Sequence, residues 1–563
     1  MDNHFTIGLD FGTNSVRALI VNVANGQEYG SFIYNYARGD AGVVLDRSDA
    51  NLARQHPQDY LRGIEVTIDQ ALEQAATKNG FSRKNVIGIG VDTTGSTPLP
   101  VNAAGTALAL TPEFQDDPNA MAWLWKDHTA HAEAEEITAA AARMRPQYLA
   151  KCGGRYSSEW FWAKVLRASR VAPKVFDAAH TWVEIADWIP AVLAGKTAPA
   201  ALRRGVCAAG HKAMYNPQWG GFPDDQFLAA LDPRLGRVRQ SLGDKCYSIA
   251  ESAGGLSAEW AAKLNLPEGI PVAVGAFDAH LGAVGAGVGP GTLVKIMGTS
   301  TCDITVSPLD SSLADVPGLC GIVPESVLPG DFGLEAGQSA VGDIFNWFVN
   351  IIKPGGDEQA THANLTAAAE KLQPGESGLL SLDWHNGNRT VLVDQRLTGL
   401  IVGLTLTSTP AEIYRALIEA TAFGARVIME RFEEFGVKVQ RVVNCGGIAA
   451  RSPMAMQIYA DVMNRPLALS RSTQTCALGS AVAAAVVAGK SRGGHESFPS
   501  AVKAMTALQD KVFTPQPAAA QVYERLYRLY RNLHDAFGVR DSKQDLYPVM
   551  KELLDIRDRV RAK

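Results

Sequence analysis

A pattern of strand, Gly-centred turn and strand occurs twice in this chain of 563 residues. Residues 6–23 read TIGLDFGTNSVRALIVNV and residues 292–306 read TLVKIMGTSTCDITV, with hydroxyl and amide side chains clustered at each turn. Each copy is followed by another apolar strand that ends in a polar Gly turn, at 86–96 and at 441–450. Repeats this far apart do not indicate a solenoid. They predict a duplicated domain whose functional edge lies where the strands meet the turns.

Helical periodicity lies between these strands. Residues 57–80 and 409–436 carry apolar positions at helical spacing, and each segment stops at a Gly. Strands that alternate with long helices predict α/β domains, and the Gly hairpins predict mixed rather than purely parallel sheets. Because the chain is too long for one core, we expect domains at 1–288 and 289–540 and an amphipathic helical tail at 541–563.

The composition excludes several classes of partner. The formal net charge is -5 and no sustained basic stripe is present, so neither nucleic acid nor an anionic membrane is expected as a partner. The seven cysteines are scattered and never spaced as CxxC, which fits a reducing compartment. The N-terminal segment has no signal-peptide pattern, and the small apolar run at 477–489 is too short to span a membrane. We expect a soluble, cytoplasmic protein.

Asp278 is the one charged residue in the segment IPVAVGAFDAHLGAVGAG, residues 270–287. An apolar strand stops at this carboxylate and a small-residue helical pattern follows. Asp is a preferred helix N-cap, so capping is one interpretation; the other is a charged group on which a reaction depends. The GAVGAG that follows superficially resembles a dinucleotide loop, but it lies late in the helical run and instead predicts close helix packing.

The two Gly turns are candidate anion-binding loops, because successive N–H groups and hydroxyl side chains there can face a phosphate. The candidate phosphate-binding residues are Gly12, Thr13, Asn14, Gly298, Thr299 and Ser300. One such stretch is equally typical of an ordinary hairpin, but two copies favour a triphosphate clamp. Asp10 lies where a carboxylate could hold Mg²⁺ through water. The chain has no GxxxxGK[ST] motif, so it is not a P-loop enzyme.

Other polar positions are candidates for contacts with an adenine and with a polyhydroxyl substrate. Gly446 and Gly447 directly follow a strand, where a flat base can lie against a turn without side chains; a plain strand-to-helix connection is the alternative. Lone polar groups among small residues are often merely exposed, but they are also possible sugar contacts. These groups are the small hydroxyl residues of DTTGSTP (92–98), Lys212 in AGHKAMY, and Glu335 and Gln338 in GLEAGQSA.

Together, the paired Gly hairpins, Asp278 at a strand end and GLIVGLTLTSTPAEIYRALIE (399–419) resemble the FGGY carbohydrate kinases. That family belongs to the superfamily of actin, Hsp70 and sugar kinases, which implies two duplicated ribonuclease H-like domains with mixed sheets flanked by helices. Within the family, the chain is most similar to the kinases of L-ribulose. The segments that carry this likeness are GLDFGTNSVRAL, GIGVDTTGSTP, LWKDHTA, YSSEWFWAK, GAFDAHLGAVGAG, GTSTCDI and GLEAGQSA. The likeness covers nearly the whole chain.

The resemblance implies an enzyme that uses ATP and Mg²⁺ to phosphorylate L-ribulose at its C5 hydroxyl in L-arabinose catabolism, and a possible homodimer. It implies that Asp278 is the general base and that the two Gly turns hold the phosphates. The residues implied to contact adenosine are Gly446, Gly447 and Ser452, and those implied to contact the sugar are Gly95, Ser96, Lys212, Asp278 and Glu335. The chain departs from the pattern at Arg451-Ser452, where the kinases of L-ribulose often carry Lys-Asn.

Two alternatives stay open on the sequence. One is a kinase of the same family for another pentulose or polyol, such as D-ribulose, D-xylulose or ribitol, which differ from L-ribulose in hydroxyl configuration or in one oxidation state. The other is a non-metabolic actin-like ATPase switch, because that fold also serves as a nucleotide clamp. The chain shows no appended peptide-binding module, which disfavours a chaperone.

Overall fold

The computed structural model describes residues 3–311 and 313–562. The outer ends of the predicted first domain (Met1 and Asp2) and of the predicted tail (Lys563) lie outside the described residues. The N-terminal half contains strands β1 (Phe5–Phe11), β2 (Ser15–Asn22), β3 (Glu28–Asn35), β4 (Val44–Leu45), β5 (Ala53–Gln55), β6 (Val86–Thr93), β7 (Pro98–Val101), β8 (Ala122–Trp123), β9 (Thr181–Glu184), β10 (Ser252–Gly255), β11 (Pro271–Ala273) and β12 (Ala276–Phe277). Its helices are α1 (Pro57–Ala76), α2 (His131–Met144), α3 (Pro146–Ala150), α4 (Phe161–Val171), α5 (Pro173–Ala178), α6 (Ile185–Leu193), α7 (Val206–Lys212), α8 (Asp225–Leu231), α9 (Leu235–Leu242), α10 (Ala258–Leu264) and α11 (Asp278–Gly285).

The C-terminal half repeats the alternation of strands and helices. Its strands are β13 (Thr292–Met297), β14 (Thr301–Pro308), β15 (Gly321–Pro324), β16 (Asp331–Ala336), β17 (Leu380–Leu382), β18 (Leu400–Val402), β19 (Arg441–Cys445), β20 (Leu467–Ser470) and β21 (Leu508–Phe513). Its helices are α12 (Gly342–Trp347), α13 (His362–Ala369), α14 (Pro410–Glu434), α15 (Gly447–Arg451), α16 (Pro453–Met463), α17 (Thr475–Ala488), α18 (Phe498–Met505), α19 (Pro517–Gly538) and α20 (Val549–Arg561).

Each half is built on one seven-stranded mixed sheet, which confirms the predicted fold class. The first sheet has the order β10-β11-β6-β1-β2-β3, with β12 also paired to β6, and the second has the order β15-β16-β14-β13-β19-β20-β21. In the first, β1 is antiparallel to β2 and parallel to β6. In the second, β13 is antiparallel to β14 and parallel to β19. The sequence repeat therefore corresponds to the same three-strand arrangement in both halves.

The two predicted long helices are present and begin at well-defined caps. α14 starts with Pro410 after Thr409, whose side chain accepts the Glu412 N–H while the Glu412 carboxylate accepts the Thr409 N–H. This capping box satisfies two of the donors that a helix start otherwise leaves unpaired. α1 begins at Pro57 and buries Ile64, Ile68 and Leu72 on one face against β2 and β3. Both helices therefore follow from local sequence signals.

Helix α17 connects the two halves. It follows β20 of the second sheet, yet it packs on β1 and β6 of the first sheet and on α11. A side chain at Gly8 or Gly90 would overlap the backbone of α17, so these strand glycines let the helix approach the sheet closely. The Thr6 hydroxyl donates to the Ala481 carbonyl at 2.9 Å. The small-residue run of α17 thus forms a buried helix between the halves. No helix in the described part of the chain is long and apolar enough to cross a membrane.

The GAVGAG segment packs against α17, as predicted. Cβ atoms at Gly285 and Gly479 would overlap the Thr475 and Leu281 carbonyls, respectively, so glycines on both helices allow the two backbones to touch. The contact joins the last helix of the N-terminal half to the C-terminal half. It fixes the position of α11, and with it Asp278 at its first residue.

Replacing Gly479 with Ala is expected to lower the unfolding free energy by about 3 kcal/mol, because the new methyl group would enter a helix contact that has no room for it. The matched control is Gly236→Ala in α9, where an added Cβ would meet nothing within 4 Å. Thermal unfolding of the two variants measures the difference. An equal melting temperature for both would contradict the close-packing argument.

The C-terminal segment forms two helices that pack on the second half. α19 buries a face that includes Tyr523, Tyr527 and Tyr530. α20 buries Val549, Leu553 and Ile556 and reaches α14 through an Arg561–Glu412 ion pair of 2.7 Å. The residues of α20 thus contribute to the core of the C-terminal half.

Candidate active site

Three aspartates lie at one edge of the first sheet. In the parallel pair β1 and β6, Asp10 stands beside Asp92. The next parallel partner of β6 is β12, where Phe277 pairs with Thr93, and Asp278 follows immediately. The carboxyl ends of parallel strands are where ligands bind in open α/β sheets. The sheet therefore gathers three carboxylates at the edge where a substrate is expected.

The position of Asp278 corrects the capping interpretation. The N-cap residue of α11 is Phe277, and Asp278 is instead the first helical residue. Its Oδ1 atom accepts the N–H of Ala279 at 2.7 Å. The carboxylate thus lies at the positive end of the helix without occupying the capping position, and it is half-buried at the cleft.

The three carboxylates perturb one another. Burial, followed by repulsion from Asp10, raises the pKa of Asp278 to about 7. Burial and Asp10 also raise the pKa of Asp92 well above its usual range. Burial raises the pKa of Asp10 although Arg17 lies 3.2 Å away. A group of acids that resist ionisation together is suited to accept a proton or to bind a cation.

Asp92 is a candidate residue that sequence reasoning missed. The segment DTTGSTP drew attention to its hydroxyl groups, whereas the structure shows the aspartate fully buried beside Asp10. The Ser480 hydroxyl of α17 donates to Asp92 Oδ2 at 2.6 Å, and Oδ1 has no hydrogen-bond partner among the described residues. Paired carboxylate oxygens with an unused acceptor fit a Mg²⁺ ion. The sequence feature that could have revealed Asp92 is an Asp near the end of each of two strands, β1 and β6, which pair in parallel.

Each Gly turn is closed by a backbone hydrogen bond from its first Gly, over four residues in the first turn and three in the second. The Gly12 N–H donates to the Ser15 carbonyl at 2.8 Å, and the Gly298 N–H donates to the Ser300 carbonyl at 2.9 Å. The solvent-accessible residues of the turns include Asn14 and Thr299. The first turn follows β1, which packs on α17, and the second follows β13, which contacts α11. Their location is therefore compatible with phosphate binding beside Asp278.

The predicted adenosine turn lies next to the second Gly turn. Gly446 has a φ of 92°, and a Cβ there would lie 2.5 Å from the Met297 carbonyl oxygen, so only Gly fits. Gly447 begins α15. Ser452 lies at the other end of α15, where its hydroxyl accepts the Ala455 N–H at 3.3 Å and caps α16. The Ser452 oxygen thus already serves as a helix cap.

Lys212 and Glu335 form a buried ion pair across the two halves. Lys212 ends α7 and Glu335 lies in β16, and the ammonium is 3.1 Å from Glu335 Oε2. Each residue is 7% exposed, so neither is the solvated charge that lone polar residues often are. Burial lowers the pKa of Lys212, but Glu335, Cys320 and Glu159 together outweigh it, so the net shift is upward. Burial raises the pKa of Glu335, but the basic groups around it, Lys212 first and Arg389 among them, together hold it well below the usual range.

Two histidines, which the sequence analysis did not identify as candidates, lie beside this ion pair. His211 Nδ1 lies 3.2 Å from Glu335 Oε2, and His211 Nε2 lies 3.0 Å from His280 Nε2. Burial lowers the pKa of His280 to about 4 and that of His211 well below its usual range, so both rings are neutral near pH 7. The charge balance of this cluster therefore depends on Lys212 and Glu335.

The predicted sugar turn lies beside Asp278. A Cβ at Gly95 would lie 3.5 Å from the ring of Phe277, which directly precedes the aspartate. Ser96 is buried with a φ of 48°, an uncommon conformation for a residue other than Gly, and its hydroxyl has no hydrogen-bond partner among the described residues. The buried Lys164 ammonium donates to the carbonyl of Ser96 and to that of Leu124 at 2.9 Å. The turn is thus held in a fixed shape with a free hydroxyl.

Comparison with known proteins identifies the family. Residues 5–285 match the FGGY family of carbohydrate kinases, N-terminal domain, and residues 293–488 match the C-terminal domain of that family. A ribulokinase from Vibrio parahaemolyticus is 44% identical over 545 residues, covering 94% of this chain and 95% of that protein. A ribulokinase from Geobacillus thermodenitrificans is 40% identical over 575 residues, covering 100% of this chain and 99% of that protein.

Solved structures have the same fold. A xylulose kinase from Rhodospirillum rubrum matches with a TM-score of 0.77 at 25% identity, covering 95% of this chain and 99% of that one. A glycerol kinase from Plasmodium falciparum, solved with ADP, matches with a TM-score of 0.76 at 14% identity, covering 96% and 99%. Both family matches lie in sequence order and together span most of the described residues. This chain is therefore a member of the FGGY family of carbohydrate kinases.

Proposed function

We propose that the chain transfers the γ-phosphate of ATP to the C5 hydroxyl of L-ribulose and serves L-arabinose catabolism. The observation that carries this proposal is the position of Asp278, a carboxylate with a raised pKa between the Asp10–Asp92 pair and the Lys212–Glu335 pair. Burial raises its pKa most, Asp10 and Glu335 raise it further and Lys212 lowers it, so Asp278 lies within electrostatic reach of both pairs. The ribulokinase relatives support a pentulose as the substrate class.

The mechanism assigns proton transfer to Asp278. Phosphoryl transfer needs an attacking oxygen in line with the γ-phosphate, neutralisation of charge and a group that accepts the hydroxyl proton. The sugar oxygen forms a bond to phosphorus, the bond from phosphorus to the β,γ-bridging oxygen breaks, and ADP leaves. Asp278 Oδ takes the proton of the hydroxyl. The N-terminus of α11 favours negative charge at this point.

The other candidate residues position the two substrates. The N–H groups of the turns at 12–14 and 298–300 hold the phosphates, and the turn at Gly446 lies against the adenine. Asp10 and Asp92 would hold Mg²⁺, which supplies neutralisation of the phosphate charge. Lys212 and Glu335 bind sugar hydroxyls, and the turn at Ser96 lines the sugar. Closure of the two halves excludes water, which would otherwise hydrolyse ATP.

The domain division at 288 and 289 is proposed on the same basis. It lies in the segment that joins α11 to β13, between the two sheets. The first domain would carry most of the sugar site and the second the adenine site. The homodimer suggested by the family resemblance stays a prediction.

Sugar-dependent ADP release tests the function. Purified protein with ATP and Mg²⁺ is given L-ribulose, D-ribulose, D-xylulose or ribitol, and kcat/KM is measured for each. We expect the highest value for L-ribulose, with a product that carries its phosphate ester at C5 by NMR. A higher value for another sugar would replace L-ribulose within the kinase proposal. ADP release without any sugar dependence would contradict the proposal and favour an ATPase switch.

The pH dependence follows from the pKa of Asp278. That pKa is raised to about 7, so the base form predominates above this pH and is lost as the pH falls below it. We expect kcat/KM for the sugar to fall by about tenfold per pH unit below about pH 7, because this ratio reports ionisation of the free enzyme. Steady-state rates in overlapping buffers measure the profile. A flat profile between about pH 5.5 and about pH 8 would exclude Asp278 as the titrating base.

A further inference from the structure

A cysteine thiol lies beside the carboxylate pair at the edge of the first sheet. One ligand atom each from Asp10, Asp92 and Cys476 lies within 4.8 Å of the other two. Cys476 is the second residue of α17, the helix that crosses from the C-terminal half onto β1 and β6. Phosphoryl transfer as proposed uses the carboxylates but gives the thiol no task.

The cluster retains an unused acceptor. Asp92 is fully buried, and only its Oδ2 atom is bonded, to the Ser480 hydroxyl. Its Oδ1 atom has no hydrogen-bond partner among the described residues. Asp10 Oδ2 accepts a hydrogen bond from the Arg17 guanidinium at 3.2 Å. The charge of Arg17 therefore offsets that of Asp10, and the charge of Asp92 is left uncompensated. Cys476 is partly accessible, unlike Cys445 on the adjacent strand β19. The site therefore combines two oxygen donors, one sulfur donor and a route from the cleft.

We propose that Asp10, Asp92 and Cys476 bind Zn²⁺ and other thiophilic divalent cations, and that this binding excludes Mg²⁺ and inhibits the kinase. The inference rests on the proposed function, because the same carboxylates are assigned to Mg²⁺. Zn²⁺ takes Cys sulfur and Asp oxygen in four-coordinate sites, and three protein ligands leave a fourth position open for water. Mg²⁺ demands six oxygen ligands and gains nothing from the thiol. The sulfur ligand thus discriminates between the two metals.

Zinc binding is balanced by release of the thiol proton and of any proton that the Asp10–Asp92 pair carries. The thiol S–H bond breaks, a Zn–S bond forms, and the proton passes to solvent, so neither oxidation nor reduction occurs. Because the bound metal occupies the carboxylates, Mg²⁺ and Zn²⁺ compete for one site. Raising the Mg²⁺ concentration should therefore relieve inhibition by Zn²⁺.

Co²⁺ provides a direct test that needs no kinase activity. Metal-free protein titrated with Co²⁺ should bind one ion per chain with a thiolate-to-cobalt charge-transfer band in the near ultraviolet. Cys476→Ser and Cys476→Ala should both lose the band, and thermal unfolding shows that each variant is folded. The matched control is Cys302→Ser, because Cys302 is the other partly accessible cysteine among the described residues. No band in the unmodified protein, or a band that survives in folded Cys476→Ser, would overturn the proposal.

Inhibition provides the second test. Each variant's ADP release with L-ribulose is normalised to its own zinc-free rate. Cys476→Ser should raise the Zn²⁺ concentration for half-inhibition by at least about 10-fold, the lower end of what losing even an outer-shell partner costs a metal site. Equal inhibition of Cys476→Ser and Cys302→Ser would overturn the proposal. If L-ribulose is not phosphorylated, the function proposal fails while the Co²⁺ titration still decides whether the site exists.

Discussion

Asp278→Asn should lower kcat for sugar phosphorylation by about 10²–10⁴-fold, the usual contribution of a general base. The amide has the same shape and its oxygen still accepts the Ala279 N–H, so binding of sugar and ATP should change little. Only the capacity to take the hydroxyl proton is lost. Steady-state kcat, together with sugar affinity from isothermal calorimetry, separates these two effects.

The melting temperature of Asp278→Asn provides an independent check on why its kcat falls. The carboxylate is half-buried and is repelled by Asp10, so removing its charge should leave the melting temperature unchanged or raise it. A folded, equally stable and inactive protein would assign the loss to chemistry. The matched control is Asp244→Asn, because the Asp244 side chain is 81% exposed and pairs with Arg239. A near-normal kcat in Asp278→Asn would refute the base assignment.

Breaking the Lys212–Glu335 pair should have the second large effect. Glu335→Gln leaves a buried ammonium beside neutral histidines, and Lys212→Met leaves a buried carboxylate. Removing one partner of a buried ion pair costs about 3–5 kcal/mol. Both single variants should therefore unfold at lower temperature and bind the sugar much more weakly, with KM rising further than kcat falls.

The double variant separates support of the fold from binding of the sugar. In Lys212→Met combined with Glu335→Leu neither member of the pair is left behind as an unpaired charge, so much of the lost stability should return. Sugar affinity should not return, because the hydroxyl partners are absent. A double-mutant cycle built from Lys212→Met, Glu335→Leu and their combination measures this difference in both melting temperature and KM. Recovery of the sugar KM in the double variant would show that the pair is only structural.

The sequence predicted the scaffold well because its signals are local. The Gly hairpins that end β1 and β13, and the cap at Thr409, lie within short segments whose residues bond to one another. The place of Asp278 at a strand end was visible for the same reason. Its exact helical position was not, because capping depends on which backbone group the side chain reaches, and here Phe277 takes the cap.

The residues that the sequence missed are paired through the tertiary structure. Asp92 stands beside Asp10 because β1 and β6 are parallel and in one register, and no local pattern states that register. The histidines beside Glu335 were not recognised, because His211 lies far from Glu335 in the sequence and meets it only in the folded chain. Cys476 reaches the same edge only because α17 crosses between the halves.

The sequence alone determined the duplicated mixed-sheet fold, the Gly turns and the family, since short-range hydrogen bonding and side-chain periodicity are written into consecutive residues. Tertiary structure decided which charges meet. It placed Lys212 against Glu335 across two halves and gathered Asp10, Asp92 and Asp278 at one sheet edge. The pKa of Asp278 rises to about 7 only there, because burial and neighbouring charge arise from the folded arrangement and not from the chain around the residue.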